Sequence, residues 1–449
     1  MMKIKKLLAS VLACFSVSVL TIDLVSCGGV EENKTGTKDG IKFELTEEGM
    51  YEVVGLDNYQ GTELVIPTLY DDTTVYSIGE EAFKNSNITS VVIPDSITHI
   101  RDYAFAGLNI GSVELPKSIN FIGKGVFLGC EWLTNIAVSE KNITYQSIDG
   151  NLYTKDGKKL MEYAPGKKDE SYVIVDGVET IGAYAFYHCV NLESIQIPNG
   201  VINIEDSAFT YCGLRSLKLP EGVENIGKDA FFGCSNLSEV EMPDSVMNVG
   251  EFAFSNCNSL RYNKNSFDAR WSEAYYLGNS KNPYVYFVKA SFIENSYLLM
   301  MADGCKVIAD HAFEHCEKLK GSVYLINVIS VGKAAFSDCD ITDVFIGDAI
   351  VDISECAFKS CNKLTNVSFG KNVEIIGAQA FAWCDELEFI EIPSNVKKIQ
   401  ERAFFYCKKL AKIRFNGTKA EWDLIEKGNE WNGFIPATKV VCWDGEYDL

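Results

Sequence analysis

The chain has 449 residues and a hydrophobic share of 47%, which is enough to bury a large core. Its 62 acidic side chains outnumber its 41 basic ones, and the formal net charge at pH 7 is −21. So negative a chain repels the phosphate backbone of nucleic acid, which argues against nucleic acid as a partner.

The first 26 residues predict a signal peptide that is cleaved. Lysines at positions 3, 5 and 6 precede an apolar run, Leu7–Leu20, that is shorter than the roughly 20 apolar residues of a membrane span. The next segment, "LVSCGG" at Leu24–Gly29, resembles a bacterial lipobox, in which the cysteine receives diacylglyceride and becomes the mature N-terminus. Cys27 is therefore the predicted lipidation site. The alternative is an ordinary secretion signal with an incidental cysteine.

Residues 27–40 carry the predicted lipidated cysteine and a flexible tether, because "GGVEENKTGTKDG" is polar and lacks apolar periodicity. A lipidated end followed by a tether would display the rest of the chain outside the membrane. Residues 41–63, which begin "IKFELTEEGMYEVVG", predict an N-terminal β-hairpin cap.

A single sequence unit recurs from residue 64 to residue 416. Within each unit, "LxxVxIP" predicts a short strand that the proline ends, "VxxIG" predicts a second extended piece, and "xxAFxxC" predicts the closing turn. The phenylalanine of the "AF" pair marks the register, with successive marks 22 or 23 residues apart except for two gaps of 59. These marker phenylalanines are Phe83, Phe105, Phe127, Phe186, Phe209, Phe231, Phe254, Phe313, Phe336, Phe358, Phe381 and Phe404.

A period in the twenties is typical of leucine-rich repeats. One unit cannot bury its apolar face alone, so the units are expected to stack into a solenoid with adjacent strands ~4.8 Å apart. The unit "IGxxAFxxCxxLxxVxIPxxVxx" resembles the BspA-like leucine-rich repeat of bacterial surface proteins over roughly Leu64–Phe415. The predicted fold class is therefore a leucine-rich repeat solenoid, mostly β with short turns and helical turns, between an N-terminal β-hairpin cap and a C-terminal short helical cap.

Two inserts, at about residues 139–170 and 261–305, fill the long gaps and divide the repeats into blocks of three, four and five. The first holds "YQSIDGNLYTKDGKKLMEYAPG", in which two Asp-Gly pairs predict tight hairpin turns. The second holds "YYLGNSKNPYVYFVKA", and both resemble inserts common among these surface proteins. Residues 417–449, which begin "GTKAEWDLIEKGNEWN", predict a C-terminal cap with a short helix.

Ten of the fifteen cysteines occupy the same place, three residues after a marker phenylalanine. Their side chains should point in parallel into the core, where a thiol acts as a small apolar group and parallel geometry disfavours a disulfide. We expect these cysteines to be buried free thiols. The alternative is disulfide bonds between neighbouring rungs, where a rung is one repeat unit of the stack. These repeat cysteines are Cys130, Cys189, Cys212, Cys234, Cys257, Cys316, Cys339, Cys361, Cys384 and Cys407.

The sequence shows no motif for a metal, a cofactor or catalysis. His311 and His315 have helical zinc-site spacing, but "HAFEH" lacks the glutamate that follows the first histidine of "HExxH", and the surrounding turn belongs to the repeat. No "GxSxG" elbow occurs, no "GxxxxGK" is followed by the serine or threonine of a phosphate loop, and the acidic residues are scattered over variable positions. We therefore predict no catalytic residue, no metal, no cofactor and no enzyme.

The outward face of the strands is the predicted ligand-binding site. In "LxxVxIP" the residue before valine and the one after it point outward. In the N-terminal half these positions carry mostly small side chains without a distinctive chemistry. The C-terminal half carries Phe345, Phe389, Glu391, Lys412 and Arg414. Outward aromatic side chains on a polar strand suggest contact with a partner. The alternative is that each ring packs on a neighbouring turn or insert; the register of "SVYLI" at residues 322–326 stays unassigned.

The resemblance implies a lipoprotein of the bacterial cell surface that works in adhesion. We predict a binding module on the outer face of the cell membrane that recognises an extracellular protein or a host matrix ligand and touches the membrane through its lipid alone. Two alternatives are a surface hydrolase that acts through carboxylates on the strand face and a passive structural or antigenic coat protein.

Overall fold

The computed structural model describes residues 35–265, 271–292 and 295–449. The predicted signal peptide, Cys27 and the first part of the predicted tether lie outside these residues. Within them the chain is a β-solenoid, which confirms the predicted repeat fold: each repeat adds one strand to each of two sheets. We call the sheet of "LxxVxIP" strands the strand face, the sheet of "VxxIG" strands the second sheet, and the segment around each marker phenylalanine the turn edge.

The N-terminal strands form a hairpin that runs into the second sheet. They are β1 (Thr35–Lys38), β2 (Ile41–Leu45), β3 (Tyr51–Leu56), β4 (Glu63–Val65), β5 (Leu69–Tyr70) and β6 (Thr73–Ile78). Of these, β4 belongs to the strand face instead, where it pairs in parallel with the strand at Ser90–Val92. Strands β1, β2 and β3 pair antiparallel, and β3 then pairs in parallel with β6. The hairpin therefore occupies the end of the second sheet, where the first repeat would otherwise leave an open edge.

The first block of repeats is followed by a three-stranded insert. The block comprises β7 (Ser90–Val92), β8 (His99–Ile100), β9 (Ser112–Leu115), β10 (Phe121–Ile122) and β11 (Asn135–Val138), and the insert comprises β12 (Tyr145–Ile148), β13 (Asn151–Thr154) and β14 (Lys159–Glu162). Asp149 and Gly150 connect β12 to β13 with φ of 51° and 74°, as expected of the predicted tight turn. Strand β14 pairs in parallel with the next strand of the second sheet, so the insert continues the solenoid.

The strands of the second block alternate between the two sheets, and an insert of three strands that pair with one another follows them. The block comprises β15 (Ser171–Val173), β16 (Thr180–Ile181), β17 (Ser194–Gln196), β18 (Asn203–Ile204), β19 (Ser216–Lys218), β20 (Asn225–Ile226), β21 (Glu239–Glu241) and β22 (Asn248–Val249). The insert comprises β23 (Asn263–Asn265), β24 (Trp271–Leu277) and β25 (Tyr286–Phe292). Strand β25 pairs in parallel with the strand at Val307–Ile308, which resumes the second sheet.

The third block ends in a cap that contains the one α-helix of the described residues. Its strands are β26 (Ser296–Met300), β27 (Val307–Ile308), β28 (Leu319–Leu325), β29 (Ser330–Val331), β30 (Asp343–Ile346), β31 (Asp352–Ile353), β32 (Asn366–Ser368), β33 (Ile375–Ile376), β34 (Phe389–Ile392), β35 (Lys398–Ile399) and β36 (Lys412–Phe415). The cap comprises α1 (Lys419–Leu424), β37 (Glu426–Lys427), β38 (Lys439–Cys442) and β39 (Gly445–Asp448). Thr418 begins the helix through a capping box with Glu421.

The marker phenylalanines stack on one another along the solenoid axis. Ring centroids of Phe186 and Phe209 lie 4.8 Å apart, and those of Phe381 and Phe404 lie 5.6 Å apart, with nearly parallel planes. This spacing follows from strand separation, because each ring occupies the same place in its own rung. The core thus extends along the solenoid axis, in two clusters that divide at the first insert.

Both inserts supply a rung that the "AF" pattern does not reveal. The ring of Tyr163 stacks on Phe186 at 5.1 Å, and the ring of Phe287 stacks on Phe313 at 4.7 Å. The backbone N–H of Tyr163 also donates to the carbonyl of Ala185, in the manner of a marker residue. Each gap of 59 residues therefore contains an additional rung with a divergent sequence.

The turn edge is held by backbone hydrogen bonds between rungs. Residues two before and two after each marker phenylalanine have a left-handed φ, for example 56° at both Glu81 and Asn85 around Phe83. This conformation costs a residue with a side chain about 1 kcal/mol. It directs N–H groups along the axis, so that Phe83 donates to the carbonyl of Ala104 at 2.9 Å. Asn85 likewise donates to the carbonyl of Ala106 at 2.8 Å.

The repeat cysteines are free thiols, as predicted, and all but the half-buried Cys316 are buried. The structure adds a partner that the sequence did not predict. Several thiols donate to the carbonyl of the marker phenylalanine one rung earlier, for example Cys130 to Phe105 and Cys361 to Phe336, each at 3.1 Å. Burial raises the pKa of Cys361 to about 12, so this thiol stays protonated at physiological pH.

Among the described residues, no helix is long and apolar enough to span a bilayer.

Candidate ligand-binding site

The strand face between β26 and β36 carries all five residues of the predicted site. Phe345 lies beside Ser368 in the pairing of β30 with β32. Phe389 lies beside Lys412, and Glu391 lies beside Arg414, in the pairing of β34 with β36. The alternation of side chains along a strand therefore puts them on one surface of the solenoid.

Phe389 is covered by the two cations of the next strand. The Lys412 Nζ atom lies 5.9 Å from the ring centroid, and the Arg414 guanidinium carbon lies 5.8 Å from it. Cation–π contacts of this kind contribute about 0.5–1 kcal/mol at exposed sites. The ring is half-buried as a result, while both cations remain exposed.

Glu391 orients the end of Arg414. The Arg414 Nη1 atom lies 3.9 Å from Glu391 Oε2, and Asn416 Nδ2 donates to Glu391 Oε1 at 2.8 Å. Both charged side chains are accessible to water, so the ion pair contributes at most about 1 kcal/mol to stability. Its effect is to hold the carboxylate and the guanidinium in place on the strand face.

Phe345 packs on a residue that the sequence left without a register. Its ring stacks on Tyr324 with centroids 4.5 Å apart and planes 9° apart, because β28 pairs with β30 with Tyr324 beside Phe345. This contact joins two neighbouring strands, whereas the alternative expected the ring to pack on a turn or an insert. Strand β28 contains Gly321, which has a φ of 115° and lies against the carbonyl oxygen of Tyr297. This irregular backbone explains why "SVYLI" does not follow the regular repeat pattern.

The strand before Tyr324 adds further apolar side chains. Met300 lies beside Tyr324 in the pairing of β26 with β28, and Leu298 lies beside Ser322. Their side chains are 59% and 40% exposed. Leu298, Met300, Tyr324 and Phe345 form what we call the apolar end of the site. Sequence reasoning missed the first three because they precede or interrupt the regular pattern.

We call Phe389, Glu391, Lys412 and Arg414 the cationic end of the site. Strand β32 lies between the two ends, next to β34, and presents the short, exposed side chains of Asn366 and Ser368. Phe345 and Phe389 are therefore two strands apart on one surface, separated by a low polar step. The site is long and shallow, with apolar and charged parts along the solenoid axis.

A separate groove lies on the N-terminal half of the strand face, for which the sequence predicted no distinctive binding surface. It has a volume of about 760 Å³ and lies across β7, β9 and β11. Val92 and Val138 line it together with Glu114, and Lys117 at its rim pairs with Asp95 at 2.9 Å. The mixture of opposite charges gives it no clear preference for one ligand class.

The histidines do not assemble a metal site. His311 Nδ1 lies 2.7 Å from Glu314 Oε2, and its Nε2 lies 3.5 Å from Glu251 Oε1. His315 is exposed and lies near Asp338 instead. Among the described residues, no three histidine, cysteine or carboxylate side chains converge in a way that could hold a metal ion.

Comparison with known proteins agrees with the repeat architecture. A family model for the BspA type leucine rich repeat region matches residues 58–155, 166–273 and 292–420. Among solved structures, the chain is similar to a leucine-rich repeat protein from Bacteroides ovatus, with 25% identity over 88% of this chain and 90% of that chain and a TM-score of 0.36. A leucine rich cell surface protein from Faecalibacterium prausnitzii has 22% identity, with 89% and 99% of the two chains covered and a TM-score of 0.32.

The pneumococcal vaccine antigen PcpA has 16% identity to this chain, with 90% of this chain and 98% of that chain covered and a TM-score of 0.29. No curated protein was found to match the chain. The family model covers well over half of the residues, in three segments that coincide with the three blocks of repeats. The chain therefore belongs to the BspA-type leucine-rich repeat family.

Proposed function

We propose that the protein is a cell-surface binding module that recognises an extracellular protein through the strand face between β26 and β36. The observation that carries this proposal is the apolar end, where Met300 and Leu298 are exposed beside the stacked rings of Tyr324 and Phe345. Clustered apolar side chains on the surface of a soluble domain typically mark a contact with a partner. Aromatic residues in such a cluster supply much of the binding free energy.

The N-terminal sequence supports display outside the cell. The apolar run of signal-peptide length and the lipobox-like "LVSC" support a diacylated Cys27 at the mature N-terminus, and two acyl chains would be sufficient for stable anchoring. The polar tether would hold the solenoid away from the bilayer. We accordingly propose adhesion to a host matrix or plasma protein as the role of the strand face.

The test is capture of a partner by the chain that begins at residue 28, which keeps the described solenoid intact. Extracellular matrix extract and serum are the sources, and binding of a captured protein is then measured for the double variant Phe345→Ser with Phe389→Ser. We expect affinity to fall at least tenfold, because one apolar and one cation-covered ring are lost. The matched control is Ser90→Ala with Ser194→Ala, which changes outward residues on the N-terminal half.

Normal binding by the aromatic double variant, with an unchanged melting temperature, would show that the binding site lies elsewhere. Failure to capture any partner would favour the passive coat protein instead. If the double variant loses binding and its melting temperature also falls by a large amount, the binding of Met300→Ser is measured instead. The exposed Met300 contributes little to the core, so this variant should stay folded, and its loss of binding would support the site.

A further inference from the structure

We propose that the strand-face site binds an extended polypeptide segment whose apolar side chains lie on the apolar end and whose carboxylates lie on the cationic end. This inference rests on the proposed function and specifies its ligand. It follows from three observations: the accessible apolar side chains, the Lys412 cation without a matching carboxylate, and the fixed distance between the two ends.

The apolar end is suited to side chains rather than to a flat or polar ligand. The Tyr324 and Phe345 rings lie nearly parallel at 4.5 Å, and the flexible Met300 side chain adjoins them on the preceding strand. Methionine adapts its shape to different apolar partners. An apolar side chain that lies here would remove both its own surface and that of Met300 from water.

The cationic end contains one lysine, Lys412, that lacks a carboxylate partner in the described part of the chain. Several lysines of these rungs pair with a carboxylate one rung away: Lys397 lies 2.7 Å from Glu374, and Lys408 lies 2.7 Å from Asp385. Among the described residues, Lys412 contacts the Phe389 ring and has no carboxylate within ion-pair distance.

The next strand adds a third cation beside this end. The register of β36 with β38 places Ile413 beside Val440, so Lys439 lies next to Lys412. Asp448 stands across from Lys439 on β39, and Glu391 is already engaged by Arg414 and Asn416. Glu446 on β39 adds a further carboxylate beside Val441, so Lys412 is the cation at this end that favours a carboxylate on the ligand.

The distance between the ends sets the length of the segment. Met300 on β26 and Arg414 on β36 are separated by five strand steps, which is about 24 Å at ~4.8 Å per step. A fully extended chain advances ~3.3 Å per residue, so a segment needs about seven residue steps to reach from one end of the site to the other. Between them, the exposed side chains of Asn366 and Ser368 leave room for a backbone and can hydrogen-bond to it.

The test measures binding of synthetic fluorescent peptides to the chain that begins at residue 28. The probe peptide has leucine and phenylalanine at one end, aspartates at the other and a serine-glycine spacer, with a total length of about eight residues at the ~3.3 Å rise. Comparison peptides carry lysines in place of the aspartates, serines in place of the apolar residues, or no spacer. We expect each comparison peptide to bind at least tenfold more weakly than the probe.

A charge reversal provides the sharpest control. Lys412→Glu should weaken the aspartate peptide at least tenfold and strengthen the lysine peptide. Lys397→Glu makes the same change of net charge in a neighbouring rung, at the second sheet, and should leave both affinities unchanged.

Equal binding of the aspartate and lysine peptides would overturn the inference, as would equal binding of the peptide without a spacer. An anionic polysaccharide that binds in place of the peptides and does not respond to Met300→Ser would also overturn it. If a captured protein loses binding in the Phe345→Ser, Phe389→Ser variant while no peptide binds, the proposed function stands and this inference falls. If neither the protein nor the peptides respond to that variant, both fall.

Discussion

The hydroxyl of Tyr103 donates to the hydroxyl of Tyr184 at 2.9 Å, although 81 residues separate them in sequence. Tyr103 belongs to a rung before the first insert, and Tyr184 belongs to a rung after it. Their rings meet over Gly125, whose φ is 57°. A Cβ atom at Gly125 would lie 2.7 Å from Tyr103 Cε1 and 3.4 Å from Tyr184 Cδ2. The glycine thus allows the two rings to join the first two blocks of repeats.

Gly125→Ala should destabilise the protein by about 1–3 kcal/mol, because it adds both a left-handed backbone cost and a collision with the Tyr103 ring. The measurement is urea unfolding followed by circular dichroism. Gly111→Ala is the matched control, since a Cβ atom there meets nothing within 4 Å. Equal effects of the two substitutions would contradict this account of Gly125.

The thiol hydrogen bonds predict a difference between two substitutions at Cys234. Its Sγ atom is buried and donates to the carbonyl of Phe209 at 3.1 Å. Cys234→Ser keeps a donor of similar size and should cost about 1 kcal/mol, whereas Cys234→Asp should cost several kcal/mol because a buried charge has no partner there. Thermal unfolding of the two variants checks the order.

Thiol labelling provides an independent test of the same core. The native protein should react slowly with a thiol reagent, because burial blocks access and raises the pKa of thiols such as Cys407 to about 12. In denaturant without a reductant, most of the repeat cysteines should react. Oxidised cysteines under those conditions would show that the rungs are linked by disulfides.

Glu162 makes the stability of the first insert depend on pH. It occupies the place of the alanine in the "AF" pair, just before Tyr163, and only 4% of its surface is exposed. Burial raises the pKa of this carboxyl well above its ordinary value, and the thiols of Cys130 and Cys189 lie close enough to be affected by its charge. The unfolded chain releases the proton first, near pH 4.3. Stability is therefore lost as pH rises above that value and levels off above the folded-state pKa.

Glu162→Gln should remove this loss, which amounts to about 1.4 kcal/mol for each pH unit between the two pKa values. Urea unfolding at pH 5 and pH 8 should show a smaller fall in stability for the variant than for the unmodified chain. Glu179→Gln at an exposed position serves as the control. An identical pH dependence of the variant and the unmodified chain would show that Glu162 is ionised in the folded state.

The lipid anchor is tested at Cys27, which lies outside the described residues. Cys27→Ala should abolish incorporation of labelled fatty acid and move the protein into the aqueous phase of a detergent extract, because the proposed diacyl group would be the membrane anchor. Unchanged labelling would place the lipid elsewhere or show that the segment is an ordinary secretion signal.

The sequence by itself determined the repeat, the solenoid and the outward direction of Phe345, Phe389, Glu391, Lys412 and Arg414. These features depend on local rules: a fixed period implies identical stacked units, and alternation along a strand determines which side chains point outward. The repeat cysteines followed from the same rule, because one place in every rung has one environment.

The tertiary structure alone decided what lies beside each of these residues. Met300 and Tyr324 complete the apolar end because β26 pairs in parallel with β28 and β28 pairs in parallel with β30, although the regular pattern is interrupted there. Tyr163 and Phe287 replace marker residues without an "AF" pair, and Gly125 accommodates two distant tyrosines. Contacts between rungs depend on how the chain resumes its register after an insert. That register is set by stacking in three dimensions, which the spacing of residues along the sequence does not encode.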